Sequence, residues 1–258
     1  MGAKCNFIDY LTKTGADSRS LTQFFTVTGE VLAPGGGRSN EQFWKLSEEW
    51  MFHHGIEGVR QGTGHVSAPD LHRFISTAAL KAADLADETW KQGYHNKVLR
   101  AAFEKQKTKI EQADYEMLSD YWLNKYPNMD AKPRSSVLSG VENILNTWNI
   151  GLVREIISGE TTTTPDDLFA GKYWLFDFPV HTYGATGKYL MSSGKFLVQK
   201  TILKRRVKPG DAPVIIYADE CQNVTNSFDA QFLAESRSHL GCMIYLTQSL
   251  HSFLTTME

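Results

Sequence analysis

An apolar run at residues 213–218 ends in two adjacent carboxylates, Asp219 and Glu220. The run is rich in β-branched residues and has no polar alternation, which is typical of a strand buried on both faces of a parallel sheet. Similar patterns predict two further strands and the helices between them, at residues 173–178, 189–206, 229–240 and 242–247. Strands alternating with helices at these spacings predict an α/β fold with a parallel, doubly wound sheet.

The N-terminal residues show shorter patterns. Residues 5–11 predict a short strand, and Asp17 or Ser18 is expected to cap a helix that runs to Leu32. The glycine-rich stretch at 34–37 predicts a plain turn. A second helix is expected from Asn40, ending before Gly55 where glycine interrupts the pattern.

Residues 67–126 differ from both flanks because glycine is nearly absent and Ala, Lys, Glu and Leu abound. Apolar residues recur there at helical spacing in three stripes, which predicts a small all-helical unit. Alternating Lys and Glu make its charged face a solvated helix surface by default. The chain is therefore expected to contain an N-terminal part of an α/β core, an all-α insertion and a C-terminal part of the core, at residues 1–64, 65–130 and 131–258.

Composition narrows the class of protein. The 258 residues are 41% hydrophobic and 22% charged, with a formal net charge of −2, so no global basic field indicates nucleic acid. Three cysteines without metal-ligand spacing favour a reducing, cytoplasmic setting. No apolar run approaches the ~18 residues of a membrane helix, and the N-terminus has no signal-peptide pattern.

The candidate chemistry lies at the carboxyl ends of the predicted strands. In a doubly wound sheet these ends share one edge, which would bring Asp219, Glu220 and Gln248 together. Paired acids there are typical of a Walker B element, in which the first acid holds Mg²⁺ and the second polarises water. The alternatives are an ordinary acidic helix cap for the acids, and a strand-end residue that bonds a neighbouring loop for Gln248.

The ordered segments Val214–Gln222, Ala234–Gly241 and Met243–Gln248 resemble the C-terminal half of a RecA-like P-loop NTPase core. More narrowly, they are similar to type IV secretion coupling proteins, the TraD/TraG-like conjugative DNA-transfer ATPases related to the FtsK and HerA motors. Residues 65–130 take the place of the all-α insertion by position. Further segments match in the same order, at Asn6–Asp9, Arg134–Val141 and Asp167–Pro179.

The resemblance implies a role for each candidate residue. Asp219 would be the Mg²⁺-side carboxylate, Glu220 the catalytic base and Gln248 the sensor of the γ-phosphate. Arg237 stands eleven positions before Gln248, where FtsK-like motors carry an arginine that can act on a neighbouring subunit's nucleotide. The alternative for Arg237 is a favourable interaction with the dipole of its own helix.

The resemblance also implies cofactors and partners. ATP and Mg²⁺ would be bound in the full-length protein, and DNA, relaxosome proteins and secretion-channel proteins would be its partners. The family works as a homo-hexamer at the cytoplasmic face of the bacterial inner membrane, anchored by an N-terminal segment that is absent from this chain. The basic residues Lys204–Lys208 are expected either to face DNA or to complement a helix dipole.

One departure from the family pattern is large. The Walker A loop, Gly-x-x-x-x-Gly-Lys-Ser/Thr, is absent, and the nearest stretch, Gly184–Lys188, has two intervening residues instead of four and is followed by Tyr189. The chain is therefore expected to be a fragment that begins after the loop and hydrolyses little or no ATP alone. Two alternatives stay open: a nucleotide-free module that binds other proteins, and another P-loop NTPase.

Overall fold

The computed structural model describes residues 3–32 and 41–251, and 68% of these residues are helical. The predicted turn at residues 34–37 lies outside the described residues. The strands are β1 (Val214–Ala218) and β2 (Gly241–Tyr245). The α-helices are α1 (Phe7–Lys13), α2 (Ser18–Gly29), α3 (Glu41–Thr63), α4 (Ala68–Ser76), α5 (Glu88–Lys91), α6 (Tyr94–Glu104), α7 (Lys109–Asp120), α8 (Ala131–Asn149), α9 (Gly151–Ile157), α10 (Val180–Lys204) and α11 (Phe228–Glu235).

The predicted α/β fold with a RecA-like, doubly wound sheet is wrong. The only sheet among the described residues consists of β1 and β2, which pair in parallel with Val214 opposite Gly241 and Ala218 opposite Tyr245. β1 is not buried on both faces as predicted, since Ile215 is 46% exposed. Its apolar composition correctly indicated a strand but not how many neighbours the strand has.

The strand predicted at residues 173–178 is not formed, because this segment pairs with no other strand among the described residues. Its side chains alternate as in a strand, with Trp174 donating to the Thr163 hydroxyl at 3.0 Å and Phe176 lying against α10 at Gly194. The outward side chains Tyr173 and Leu175 are 89% and 82% exposed. A strand needs a neighbour for its backbone groups, and a pattern read along one segment cannot show whether that neighbour exists.

The predicted strand at residues 5–11 is also wrong, because α1 covers most of it. Ile8 and Leu11 are buried three positions apart, which fits a helix face better than the two-residue period of a strand. Short apolar runs of this length do not distinguish the two periods reliably. The helix expected after Asp17 is confirmed as α2, and Asp17 accepts a hydrogen bond from the Ser20 amide at 2.8 Å.

The chain divides into two compact units. The helical unit contains Ile8–Gln23 and Ser39–Ser158, and the sheet unit contains Met1–Phe7, Phe24–Arg38 and Gly159–Glu258. The division into domains at 1–64, 65–130 and 131–258 stays a prediction. Among the described residues, no helix combines the length and apolar character needed to cross a bilayer.

In the helical unit, α3 packs against α4, α6 and α8. α3 does not end before Gly55 as predicted but continues to Thr63, because its glycines allow close packing. A Cβ on Gly58 would lie 2.6 Å from the Phe74 ring of α4, and one on Gly62 would lie 2.5 Å from the Val98 carbonyl oxygen of α6. Glycine in this helix therefore marks contacts between helices and not a helix end.

Residues 67–126 are helical as predicted, and their helix starts follow local rules. The Ser67 hydroxyl accepts from the Asp70 amide at the start of α4. Thr108 and Glu111 form a reciprocal capping box at the start of α7. After α7 the chain continues in a π-helical turn, Tyr121–Lys125.

His95 is fully buried in the helical unit. Its ring stacks on Phe74 with centroids 4.0 Å apart, and Nδ1 donates to the Phe74 carbonyl oxygen at 2.7 Å. The Trp122 ring lies edge-on to it. Burial lowers the pKa of His95 to about 4, although the Phe74 carbonyl acts in the opposite direction. The native helical unit therefore holds this imidazole in its neutral form at neutral pH.

In the sheet unit, a buried carboxylate joins several elements. Asp229 at the start of α11 accepts from Lys195 of α10, from Gln199 of α10 at 2.7 Å and from the backbone amide of Asn226 at 3.0 Å. The Tyr245 phenol of β2 interacts with the same carboxylate, and its pKa is raised by burial first and by Asp229 second. Asp229 therefore connects α10, α11 and β2.

The buried His95 predicts a loss of stability in mild acid. Its native pKa is about 4, below the ordinary value of about 6.5, so the unfolded chain binds more protons between these values. The stability that the neutral His95 contributes is fully present above pH 6.5 and is lost as the pH falls towards 4. Between pH 7 and pH 5 we expect His95 to reduce the free energy of unfolding by about 2 kcal/mol.

Urea unfolding followed by tryptophan fluorescence at both pH values measures this loss. His95→Gln keeps a donor for the Phe74 carbonyl but does not titrate, so its loss should be about 2 kcal/mol smaller. His181→Gln, at an exposed position, is the control and should leave the pH dependence unchanged. An equal loss in the His95 variant and in the wild type would contradict the assignment.

The Asp229 network predicts non-additive substitutions. Asp229→Ala leaves the Lys195 ammonium buried and unpaired, and should lower the free energy of unfolding by about 3–5 kcal/mol. Replacing both charges with apolar side chains, Lys195→Met with Asp229→Leu, should cost much less than the sum of the single changes. Urea unfolding of the wild type, Asp229→Ala, Lys195→Met, Asp229→Leu and the double variant measures both effects, and additive losses would show that the two charges do not interact.

Candidate functional site

The candidate site lies at the carboxyl ends of β1 and β2. Backbone pairing continues past both strands, because the Leu246 amide donates to the Ala218 carbonyl and the Cys221 amide donates to the Leu246 carbonyl, each at 2.9 Å. Asp219 and Glu220 lie between these two hydrogen bonds. The residues that follow Leu246 are thereby held beside the two acids.

Glu220 adopts an unusual backbone conformation. Its φ of 47° and ψ of 48° lie in the left-handed region, which costs a side-chain-bearing residue of the order of 1 kcal/mol. This conformation turns the chain from β1 into a 3₁₀ turn, Cys221–Asn223. The turn is held by the burial of Cys221 and Val224 in a cluster with Ala218. The packing therefore maintains a strained residue at the candidate site.

The side chains at this edge form a chain of hydrogen bonds. Gln248 Nε2 donates to Glu220 Oε1 at 2.6 Å, and Gln222 Nε2 donates to Glu220 Oε2 at 2.5 Å. Thr247 Oγ1 in turn donates to Gln222 Oε1 at 3.0 Å. The structure therefore brings Glu220 and Gln248 into direct contact, although they are 28 positions apart in the chain.

Asp219 is exposed at the same edge. Its Oδ1 accepts from the Glu220 amide at 2.9 Å, and none of the described residues donates a hydrogen bond to its other carboxylate oxygen. Carboxylate oxygens suit Mg²⁺, which is usually held by one or two carboxylates together with substrate phosphates and water. Within residues 3–32 and 41–251, no cluster of three or more acidic, histidine or cysteine side chains is placed to bind a metal. A single exposed carboxylate does not form a metal site by itself, so the binding of Mg²⁺ by Asp219 stays a prediction.

Arg237 is not brought to this edge by any recorded contact. It lies in the 3₁₀ turn Ser236–His239, after α11 has ended at Glu235, and its side chain is exposed. Within the part of the chain that the structure describes, no ion pair or hydrogen bond of its guanidinium is recorded. Its proposed action on a neighbouring subunit stays a prediction.

The stretch Gly184–Lys188 is not a phosphate loop in this structure, because it forms part of α10. Gly184, with φ 55° and ψ −138°, produces a kink, and Gly187 packs against the Phe178 carbonyl. Tyr189 is fully buried. The backbone amides of this stretch largely serve the helix and are not gathered around an anion.

Within the basic segment Lys204–Lys208, Arg205 has a local role. Its guanidinium donates to the Ala212 carbonyl at 2.8 Å, lies 3.3 Å from Asp211 and covers the Phe169 ring. These contacts hold the loop that leads into β1. Arg205 therefore has a structural role, and the roles of Lys204, Arg206 and Lys208 stay predictions.

Sequence reasoning missed Gln222 and the Asp229 network. Gln222 follows Glu220 by two positions. An amide side chain so close to a strand-end acid could have indicated a contact between them. The Lys195–Asp229 pair joins residues 34 positions apart, and no local pattern marks it.

Comparisons with protein-family models, with curated proteins and with solved structures return no match.

The left-handed conformation of Glu220 predicts an inverted effect of glycine. Glu220→Gly and Glu220→Ala both remove the carboxylate, but only alanine keeps a Cβ at positive φ. We expect the glycine variant to be more stable by about 1 kcal/mol in urea unfolding. Asp219, whose φ is not positive, is the control: there glycine should be less stable than alanine. The same order at both positions would argue against strain at Glu220.

Proposed function

We propose that the chain is part of an ATP-driven, DNA-translocating motor that couples plasmid DNA or protein substrates to a conjugation or type IV secretion channel. The observation that carries the proposal is the contact of Glu220 with Gln248 beside Asp219, at the carboxyl ends of two parallel strands. Its support comes from this geometry together with the resemblance of the segments that form it. An ATP-driven motor would also need a phosphate-binding loop, which the 258 residues do not contain.

In this proposal each residue has a distinct task. Glu220 accepts a proton from the attacking water, and the amide of Gln248 senses the terminal phosphate. Asp219 would hold Mg²⁺, which when bound neutralises developing phosphate charge. Arg237, with its exposed guanidinium, would reach a nucleotide held by a neighbouring copy in a homo-hexamer. DNA, relaxosome proteins and channel proteins would be the partners, at the cytoplasmic face of the bacterial inner membrane.

The second candidate is a nucleotide-free module that binds other proteins. It is favoured by an exposed apolar stripe on α3, where Phe43, Leu46 and Trp50 follow helical spacing and are all exposed. The absence of a Walker A loop from the sequence is compatible with this candidate. Phe43→Ala with Trp50→Ala would then abolish binding of the partner protein, whereas substitutions of Glu220 would not affect this binding.

The first expectation concerns the 258-residue chain alone. Without the amides and lysine of a Walker A loop, most of the binding energy for a triphosphate is missing. We therefore expect little or no Mg²⁺-dependent release of phosphate from ATP. Substantial turnover that is abolished by Glu220→Gln would contradict this expectation.

The decisive experiment uses the product of the complete reading frame that encodes this chain. We expect DNA-stimulated ATP hydrolysis, with kcat reduced about 100-fold or more by Glu220→Gln, because a positioned general base contributes roughly 10²–10⁴-fold. Glu235→Gln removes an exposed carboxylate on α11 and is the matched control, which should retain activity. A complete product that binds and hydrolyses no nucleotide would favour the interaction module.

A further inference from the structure

The two amides that hold Glu220 differ in how firmly they are anchored. Gln222 is half-buried in the turn Cys221–Asn223, and its amide oxygen is held by the Thr247 hydroxyl. Gln248 is exposed, and its recorded hydrogen bond is the one to Glu220 Oε1. A ligand that competes for an amide would therefore displace Gln248 more readily than Gln222.

The backbone that carries Gln222 is also fixed. The Cys221 amide donates to the Leu246 carbonyl, and the Cys221 carbonyl accepts from the Thr225 hydroxyl at 2.7 Å. Further along, the Asn226 amide bonds the buried Asp229 carboxylate. Gln222 is thus held by β2 on one side and by the Asp229 network on the other.

We propose that Gln222 is a positioning residue, which holds Glu220 through Oε2 while Gln248 exchanges between Glu220 Oε1 and the terminal phosphate. This inference rests on the proposed function. With Gln248 on Oε1 the base is capped, and its departure frees that oxygen for the attacking water. Gln222 keeps the carboxylate in place during the exchange, so sensing of the phosphate and activation of the base are linked.

The chemical step is then a balanced proton transfer and displacement. An O–H bond of the water breaks and its proton moves to Glu220 Oε1. The water oxygen forms the new bond to phosphorus, and the bond from phosphorus to the leaving phosphate oxygen breaks with its electron pair. Gln222 touches none of the reacting atoms and acts only through Glu220.

A nucleotide-free measurement tests the contact itself. In the ¹⁵N-labelled 258-residue chain, Glu220→Gln should shift the side-chain amide signals of both Gln222 and Gln248, whereas the control Glu235→Gln should shift neither. Thr247→Val removes the anchor of Gln222 together with the contacts of the hydroxyl with the Ser249 backbone, and should alter the Gln222 signal more than the Gln248 signal. A Gln222 signal that does not respond to Glu220 overturns the inference, whatever the activity of the complete product.

A kinetic measurement on the complete product tests the role. Gln222→Ala should lower kcat about 10- to 100-fold and leave KM within about twofold, because misplacing a base can cost about 100-fold without affecting substrate binding. Gln222→Glu keeps the length of the side chain but cannot donate to a carboxylate, so it should lower kcat at least as much as alanine. Gln222→Asn keeps a donor amide and should recover part of kcat, which a purely structural role would not give.

The outcomes separate the two proposals. ATP hydrolysis that is abolished by Glu220→Gln but unchanged by Gln222→Ala overturns the role of Gln222 and leaves the proposed function standing. A complete product without hydrolysis overturns the proposed function and the role of Gln222 with it. A selective loss of kcat in Gln222→Ala together with partial recovery in Gln222→Asn supports both.

Discussion

The sheet unit depends on one buried carboxylate. Asp229 is fully buried and accepts from Lys195 and Gln199 of α10 and from the backbone of Asn226, while Tyr245 of β2 contacts it. Burial lowers the pKa of Lys195, and the carboxylate opposes that effect. Removal of either partner would leave a charge in a site without water, so the elements that contribute to the network are held together as a group.

This constraint reaches the candidate site through a short stretch of chain. The segment between Glu220 and Asp229 is bonded to β2 at its start and to the buried carboxylate at its end. A segment fixed at both ends can hold Glu220 in the left-handed region, where a free chain would relax. The hydrogen bonds of Gln222 and Gln248 to Glu220 are formed on this fixed frame. The structure therefore holds Glu220 as a prearranged acid, and its use in phosphoryl transfer stays a proposal.

Prediction from the sequence succeeded where the cause of structure is local. Helices at residues 67–126 were recognised because caps such as Ser67 and Thr108 and the apolar spacing lie within one or two turns. β1 and its terminal acids were recognised for the same reason. Gly55 was wrongly predicted to end a helix. Glycine occurs at helix ends but also where two helices pack closely, as α3 does against α4. The doubly wound sheet failed because strand number depends on partners that no single segment specifies.

The sequence by itself determined the helical character of residues 67–126, the strand that ends in Asp219 and Glu220, and the types of side chain available at that edge. Only the tertiary structure decided that residues 173–178 remain unpaired and that Gln222 and Gln248 both bond Glu220. The physical reason is the distance along the chain over which each interaction acts. Helix caps and periodicity act over a few residues, whereas strand pairing and side-chain contacts join residues about 30 positions apart, such as Glu220 and Gln248 or Lys195 and Asp229. Such contacts form only when the fold of the whole chain brings the groups together.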